Sequence, residues 1–220
     1  WQLFSRRDLG QVVLTVAPET ISVADIRRLV SSGVKVCLGH SNADSVTVQS
    51  ALRAGASGFT HLFNAMSPLT SREPGMVGTA LHDLHSWCGI IVDGVHVHPH
   101  SLQVALRAKA RGKIFLVTDA MPTVGTELEE FEFFGAHVKR VGDKLFDKDG
   151  ALAGSNLDMA SAVCNSINLL AVEPQEAWRM ASRYPAEFLG LQHQMGRIEL
   201  GYHADFVLLD EQNKVSACWQ

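Results

Sequence analysis

Five apolar runs rich in β-branched residues recur roughly every 25 residues in the first half of the chain, and they constrain its fold more than any other feature. They occupy residues 12–17, 34–39, 58–63, 89–93 and 114–118. Runs so continuously apolar are typical of strands buried on both faces, as in a parallel sheet. Helical patterns lie between them, at residues 22–31, 44–54 and 101–110. The alternation predicts repeating βα units of a parallel α/β barrel.

The pattern changes after residue 119. Residues 131–154 alternate and contain an Asp-Gly turn, which predicts a β-hairpin, and two helices are predicted at 157–171 and 174–189. We therefore divide the chain into a partial barrel, residues 1–195 with the hairpin inside it, and a segment of a small β-domain, residues 196–220. Because five strands do not close a barrel of about eight, we expect the chain to be part of a longer one.

Composition argues against two broad classes of protein. The formal net charge of −4 disfavours a general nucleic-acid or anionic-membrane surface. No apolar run approaches the ~20 residues that span a bilayer, and residues 1–8 have no signal-peptide layout. The four cysteines are far apart and form no C-x-x-C pair, which predicts a reduced, cytoplasmic protein.

Side chains capable of chemistry stand at the ends of the apolar runs. His40 follows the second run, His61 lies in the third, His96 follows the fourth and Asp119 follows the fifth. Parallel strands bring such ends to one rim, where neutral imidazoles can bind a divalent metal and a carboxylate can move protons. Each residue also has a plainer interpretation: a hydrogen-bonded structural histidine or, for Asp119, the N-cap of a following helix.

The HVHPH stretch at residues 96–100 offers a rival metal site, because alternate residues of a strand share a face. Pro99 interrupts the strand and separates the three histidines. We therefore predict His96 alone as a site residue, with His98 and His100 solvated at the start of the next helix.

Two loop segments are further candidates for ligand binding. Arg72 lies in a loop rich in Ser, Thr and Pro, and a guanidinium can bind phosphate or carboxylate through two hydrogen bonds. A lone loop arginine is equally compatible with plain solvation. Residues 152–155 are predicted to form a turn that either presents backbone groups to a ligand or only leads into a helix.

Six motifs occur in an order and spacing that resemble the N-acetylglucosamine-6-phosphate deacetylase family. They are GHSNA (39–43), THLFNAM (60–66), REPG (72–75), IVDGVH (91–96), LVTDAM (116–121) and LAGS (152–155). That family belongs to the amidohydrolase superfamily of metal-dependent TIM-barrel, (β/α)8, hydrolases. The similarity extends over about residues 13–207. It implies an α/β fold that is an incomplete TIM barrel, about strands four to eight, with part of a small β-sandwich domain.

The resemblance implies a role for each candidate. His40 and His61, on the fifth and sixth barrel strands, match the metal ligands, and Asp119, on the eighth, matches the catalytic aspartate. One divalent ion is implied, zinc first, with Fe²⁺, Co²⁺, Mn²⁺ and Ni²⁺ as alternatives. The implied substrate-binding positions are Asn64, Ala65, His96, Leu152, Ala153 and Gly154. Arg72 matches an arginine that binds the sugar phosphate in the neighbouring subunit's site, which implies a homodimer.

The implied reaction hydrolyses the acetamide of N-acetyl-D-glucosamine 6-phosphate to D-glucosamine 6-phosphate and acetate, in amino-sugar catabolism and cell-wall sugar recycling. The family's third metal ligand, a glutamate in an HLEGP-like motif, does not occur in this sequence. Glu19 is the nearest carboxylate by position, but it matches a different stretch, so we assign it no ligand role. We expect little activity from this chain alone. Two alternatives stay open: another metal-dependent amidohydrolase, such as a cyclic amidase or a deaminase, and an incomplete inactive piece.

Overall fold

A parallel sheet of five strands forms the centre of the molecule in the computed structural model, which describes residues 1, 3–6 and 8–219. The strands are β1 (Val13–Val16), β2 (Lys35–Leu38), β3 (Gly58–Phe59), β4 (Trp87–Ile90) and β5 (Ile114–Leu116). They lie in chain order, and each pairs in parallel with the next. The predicted βα architecture is confirmed. Within the described residues β1 and β5 each have a neighbour on one side only, so the barrel is incomplete.

Four helices connect the strands of this sheet. They are α1 (Val23–Ser31), α2 (Ser45–Arg53), α3 (Gly75–His82) and α4 (Pro99–Ala108). Ser22 is the N-cap of α1, and its Oγ accepts a hydrogen bond from the Asp25 amide at 3.1 Å. Helix α3 forms where Gly75 and Gly78 weaken a helix prediction, because most of its residues are buried and tertiary packing outweighs local propensity.

The core lies between the parallel sheet and the helices that cover it, both these four and the helices of the second half of the chain. Its largest fully buried side chains come from the strands (Leu38, Phe59, Ile90) and from the helices that cover them (Ile26, Met76, Leu102). Full burial of one such side chain contributes about 1.5–3 kcal/mol, so this layer is the main source of stability.

All four cysteines are free, as the spacing predicts. Cys37 and Cys88 lie in the buried sheet and pack as small apolar residues. Burial raises the pKa of the Cys37 thiol to about 11 and that of Cys88 to about 12. Both thiols are therefore protonated at neutral pH and unsuited to nucleophilic chemistry.

The described residues after 119 contain two antiparallel sheets and three helices. The first sheet is β6 (Glu130–Phe133), β7 (Ala136–Val141), β8 (Lys144–Asp147) and β9 (Leu152–Ser155). The helices are α5 (Met159–Leu170), α6 (Pro174–Ala181) and α7 (Arg183–Leu189). The last sheet is the hairpin β10 (Phe206–Leu209) with β11 (Val215–Trp219), which fits a separate β-segment after residue 195. The domain division itself stays a prediction.

Three details differ from the sequence predictions. The segment predicted as one hairpin, residues 131–154, is a four-stranded antiparallel sheet in which the Asp-Gly turn joins only the last two strands, β8 and β9. Residues 152–155 are strand β9 and not a turn. The single helix predicted at 174–189 breaks at Ser182, whose φ of −130° and ψ of −71° leave the helical region.

In the described part of the chain, no helix has the length and apolar character needed to cross a bilayer.

Candidate active site

Three candidate residues stand directly beyond the carboxyl ends of parallel strands. His40 follows β2, His61 follows β3 and Asp119 follows β5. All three have left-handed backbone, with φ of 50°, 34° and 53°. A residue other than glycine pays roughly 1 kcal/mol or more for that conformation, and such strain concentrates at functional sites. The prediction that His61 lies within its strand is wrong, because β3 ends at Phe59 and the chain turns there.

The structure brings His40 and His61 together. Their Nε2 atoms lie 2.8 Å apart, and the two rings meet edge to face with centroids 4.6 Å apart. His61 is 6% exposed, whereas His40 is open to solvent. His61 Nδ1 is buried and has no hydrogen-bond partner among the described residues. Two imidazoles therefore direct the same nitrogen at one point on the rim.

The electrostatic setting favours neutral imidazole at His61. Burial lowers the pKa of His61, the nearby His40 lowers it further, and the negative charge of Asp119 acts in the opposite direction. Neutral imidazole is the form that coordinates a metal ion. Asp119 follows β5 at the same edge of the sheet, so its charge acts on the histidine pair.

The donor set fits a divalent first-row metal ion only in part. Two convergent imidazole nitrogens suit such an ion, and the strained backbone at both histidines holds them in place. However, no cluster of three or more His, Cys, Asp or Glu side chains able to hold a metal occurs within residues 1, 3–6 and 8–219. His40 and His61 can supply two ligands, and a complete site requires at least one more.

Asp119 is exposed, and the alternative interpretation as an N-cap fails. Strand β6 is the next element after it, and the next helix, α5, is capped by Asp158. Its carboxylate makes no hydrogen bond to another described residue, so it is available for proton transfer at the rim.

Asn64 and Ala65 lie in the turn that follows His61. The Asn64 side-chain amide donates to the His61 carbonyl oxygen at 3.2 Å, and Ala65 has φ of 48°. The Ala65 carbonyl accepts from the Ser41 amide at 2.9 Å, which ties this turn to the residue after His40. Both predicted residues therefore border the histidine pair.

Glu19 and Ser41 were missed as site-supporting residues by sequence reasoning. Ser41 Oγ donates to the Glu19 carboxylate at 2.5 Å, and the Asn42 amide approaches the same group at 3.3 Å. Ser41 is buried, so the loop after β2 is fixed from the loop after β1. This bonding accounts for the Glu19 carboxylate without a metal. A carboxylate just beyond the first strand was the only available signal.

Arg72 is exposed and makes no hydrogen bond or ion pair with another described residue. Its loop is nevertheless fixed, because Glu73 Oε1 accepts from the amides of Ser45 at 2.8 Å and Gly75 at 2.9 Å. Gly75 has φ of 59°, and a Cβ there would lie 2.7 Å from the Pro68 carbonyl oxygen. The structure does not bring Arg72 into contact with the histidine pair of its own chain.

His96 is held by a neighbouring carboxylate. Its Nδ1 lies 2.5 Å from Asp93 Oδ2, and both side chains are about nine-tenths buried. Asp93 Oδ1 also accepts from the amides of Val95 and His96, each at 2.9 Å. This pairing fixes the ring and leaves Nε2 for a ligand. As expected, His98 and His100 are exposed at the start of α4, where His98 is the N-cap.

Strand β9 packs against the turn that carries Asp119. Gly154 has φ of 68°, and a Cβ there would lie 2.6 Å from two Met121 side-chain atoms and 3.0 Å from the Asp119 carbonyl oxygen. Leu152 and Ala153 precede it in the same strand and are at least partly exposed. The structure thus places residues 152–154 beside Asp119, as part of a strand.

Comparison with known proteins agrees with this geometry. Residues 17–218 match the amidohydrolase family. The chain belongs to that family. It is 52% identical over 219 residues to N-acetylgalactosamine-6-phosphate deacetylase of Shewanella sp. (strain ANA-3), covering all of this chain and 55% of that protein.

Two solved structures are also similar. N-acetylglucosamine-6-phosphate deacetylase from Pasteurella multocida matches with a TM-score of 0.91 and 34% identity, over 94% of this chain and 55% of that one. A mutant N-acetyl-D-glucosamine-6-phosphate deacetylase from Mycobacterium smegmatis, in complex with N-acetyl-D-glucosamine-6-phosphate, matches with a TM-score of 0.89 and 30% identity, over 94% and 56%. The chain thus spans about half the length of the relatives it matches.

Proposed function

We propose that this chain provides part of an active site that hydrolyses the acetamide of N-acetyl-D-glucosamine 6-phosphate, giving D-glucosamine 6-phosphate and acetate. The observation that carries the proposal is the pair His40 and His61, Nε2 to Nε2 at 2.8 Å, with the charge of Asp119 beside it. The pair lies in a chain similar to deacetylases of acetylated amino-sugar phosphates. We place the reaction in amino-sugar catabolism in the cytoplasm, a reducing compartment that is compatible with four free thiols.

His40 and His61 would hold one divalent ion, with zinc the first candidate. When bound, such an ion polarises the amide carbonyl and lowers the pKa of a water molecule toward ~7. The two histidines contribute neutral nitrogen ligands fixed by the turns after β2 and β3. At least one further ligand has to come from elsewhere in the complete site.

Asp119 would carry the protons. Its carboxylate accepts a proton as water attacks the amide carbon, and it then delivers that proton to the departing nitrogen. Without this transfer the amine would leave as an unstable anion, so proton delivery is worth about 10²–10⁴-fold in rate. The exposed position of Asp119 leaves it free to approach substrate.

The remaining candidates would hold the sugar phosphate. Asn64, Ala65, His96 and residues 152–154 border the rim and would bind the sugar. Arg72 would bind the phosphate across a homodimer interface, in the neighbouring subunit's site. Its exposed position on a fixed loop, away from the histidines of its own chain, supports this arrangement. Binding of a remote phosphate aligns the acetyl group for attack.

The test is an assay of acetate release in a protein that contains this sequence and spans the full length of its relatives. Turnover of N-acetyl-D-glucosamine 6-phosphate supports the proposal. Turnover of only cyclic amides or nucleobases would instead assign a different amidohydrolase activity.

A second candidate substrate is the C4 epimer, N-acetyl-D-galactosamine 6-phosphate. The 52% identical Shewanella relative carries that activity in its name, whereas the matched solved structures are named for glucosamine. Measuring kcat/KM for both epimers in parallel decides between them. A higher value for the galactosamine epimer would reassign the substrate and leave the chemistry of the site unchanged.

The Arg72→Ala variant should lower kcat/KM for the phosphorylated sugar by roughly 10- to 100-fold, because a charged hydrogen bond to phosphate contributes about 1.5–3 kcal/mol. Slow turnover of unphosphorylated N-acetylglucosamine should not change. Arg107→Ala, which removes another exposed arginine on α4, is the matched control. An equal loss on both substrates would contradict the phosphate role.

The His61→Ala variant should bind divalent metal at least about 100-fold more weakly, since it loses one of two fixed imidazole ligands. Metal content after dialysis, measured by elemental analysis, tests this independently of activity. His98→Ala removes an exposed histidine outside the pair and should retain full metal content. Unchanged metal in His61→Ala would exclude it as a ligand.

A further inference from the structure

The direction of the Asp119 side chain is set by its backbone. The carboxylate forms no hydrogen bond within the described residues, so no neighbouring side chain holds it. Its φ of 53° instead fixes where the Cβ points. Whatever holds residues 118–121 in this turn therefore also aims the carboxylate.

Ser155 holds that turn through its backbone and its side chain. Its amide donates to the Asp119 carbonyl at 2.8 Å, and its carbonyl accepts from the Met121 amide at 3.0 Å. Its hydroxyl donates to the Thr118 carbonyl oxygen and accepts from the Leu157 amide at 3.0 Å. Ser155 is 2% exposed, so water cannot replace these bonds. One buried residue thus contacts three residues of the turn.

The fit between β9 and the turn leaves little freedom. Only glycine is accommodated at position 154, where a Cβ would collide with Met121. Ser155, the last residue of β9, also pairs with Ala120 of the turn in a parallel bridge. The antiparallel sheet β6–β9 is thereby attached to the catalytic rim.

We propose that Ser155 is a positioning residue for the deacetylation, which acts through Asp119 by fixing the turn at residues 118–121. This inference rests on the proposed function for its effect on rate. Loss of the hydroxyl leaves the Thr118 carbonyl and the Leu157 amide without their partner, and the strained turn relaxes. Displacing a proton-transfer group by about 1 Å is enough to cost on the order of 10²-fold in rate.

The test compares Ser155→Ala with Ser166→Ala in a protein that spans the full length of the relatives. Ser166 is the matched control, because it is also fully buried and donates to a backbone carbonyl, Ala162 O at 2.8 Å, but within α5. We expect kcat to fall roughly 10- to 100-fold in Ser155→Ala, with KM within about threefold. Ser166→Ala should keep kcat. An equal loss in both variants would overturn the inference.

A double-mutant cycle separates positioning from general structural damage. In an Asp119→Asn background, adding Ser155→Ala should cause no further loss of rate, since the group it aims is already disabled. Losses that multiply would overturn the inference.

Hydrogen exchange provides a readout that needs no activity. The amide of Met121 should exchange at least about tenfold faster in Ser155→Ala than in the parent protein. Should the parent lack deacetylase activity, the proposed function fails and this measurement still decides the structural role. An unchanged exchange rate would show that Ser155 does not fix the turn.

Discussion

Replacing Asp119 by asparagine is expected to lower the deacetylation rate by about 10³-fold while the metal stays bound. Asparagine keeps the size and shape of the side chain but cannot accept the proton of the attacking water or protonate the leaving nitrogen. The turn should survive, because Ser155 holds it through the backbone of residues 118–121. Asp119 is also not one of the two histidines proposed to hold the metal, so metal content should be unchanged.

The measurement is kcat for acetate release together with metal content by elemental analysis. Asp143→Asn is the matched control, because Asp143 is an exposed aspartate in the turn between β7 and β8 whose side chain makes no hydrogen bond to another described residue. The control should retain full activity. Turnover of Asp119→Asn within a few-fold of the parent would remove Asp119 from the proton-transfer role.

The spacing of apolar runs was sufficient to predict the sheet. Strands β1–β5 fall within or next to the five runs because they are buried by helices and neighbouring strands, and burial on both faces requires nearly continuous apolar sequence. The error at residues 152–155 has a clear origin. A glycine such as Gly154 is typical of turns, so the sequence predicts one. In the structure Gly154 lies within β9, at a point where the strand passes too close to Met121 for a side chain.

The candidate site was predictable as a set of strand ends but not as a geometry. The rim position of His40 and Asp119 follows from parallel strands. Their left-handed backbone does not: histidine and aspartate adopt it more readily than most residues, but the chain has ten histidines, and only the surrounding contacts determine which of them do so. The supporting roles of Ser155 and Glu19 also depend on distant contacts. Their roles consist of hydrogen bonds to segments 22 to 37 residues away, which no local pattern reveals.

Nothing in the sequence distinguishes Lys109 from the exposed Arg107 and Arg111 beside it. It is 4% exposed, at the end of α4. Its Nζ donates to the Ala80 carbonyl at 2.6 Å, to the Asp83 carbonyl and to Ser86 Oγ at 3.0 Å. These oxygens lie at the C-terminal end of α3 and just after it, where a helix has unpaired carbonyls and a partial negative charge. The Lys109 ammonium group therefore caps the C-terminus of α3, although Lys109 belongs to the next βα unit.

The Lys109→Met variant should lower the free energy of unfolding by about 3 kcal/mol. Methionine retains the apolar stem but leaves the buried Ala80 carbonyl and the partly buried Asp83 carbonyl without this donor, at roughly 1–3 kcal/mol for a buried group. Burial lowers the pKa of Lys109, because the buried ammonium is desolvated. This desolvation cost offsets part of the stability that its hydrogen bonds contribute. Urea denaturation followed by circular dichroism measures the change.

Arg107→Met is the matched control, because it removes a cation from the exposed face of the same helix and should change stability by no more than about 0.5 kcal/mol. Amide exchange in residues 75–86 locates the effect, since α3 should open more readily in Lys109→Met alone. Equal stability of the two variants would mean that the buried charge contributes nothing net, its hydrogen bonds being cancelled by desolvation. The direction expected here rests on the two carbonyls, which remain in the variant and lose the only donor outside α3 that the described residues provide.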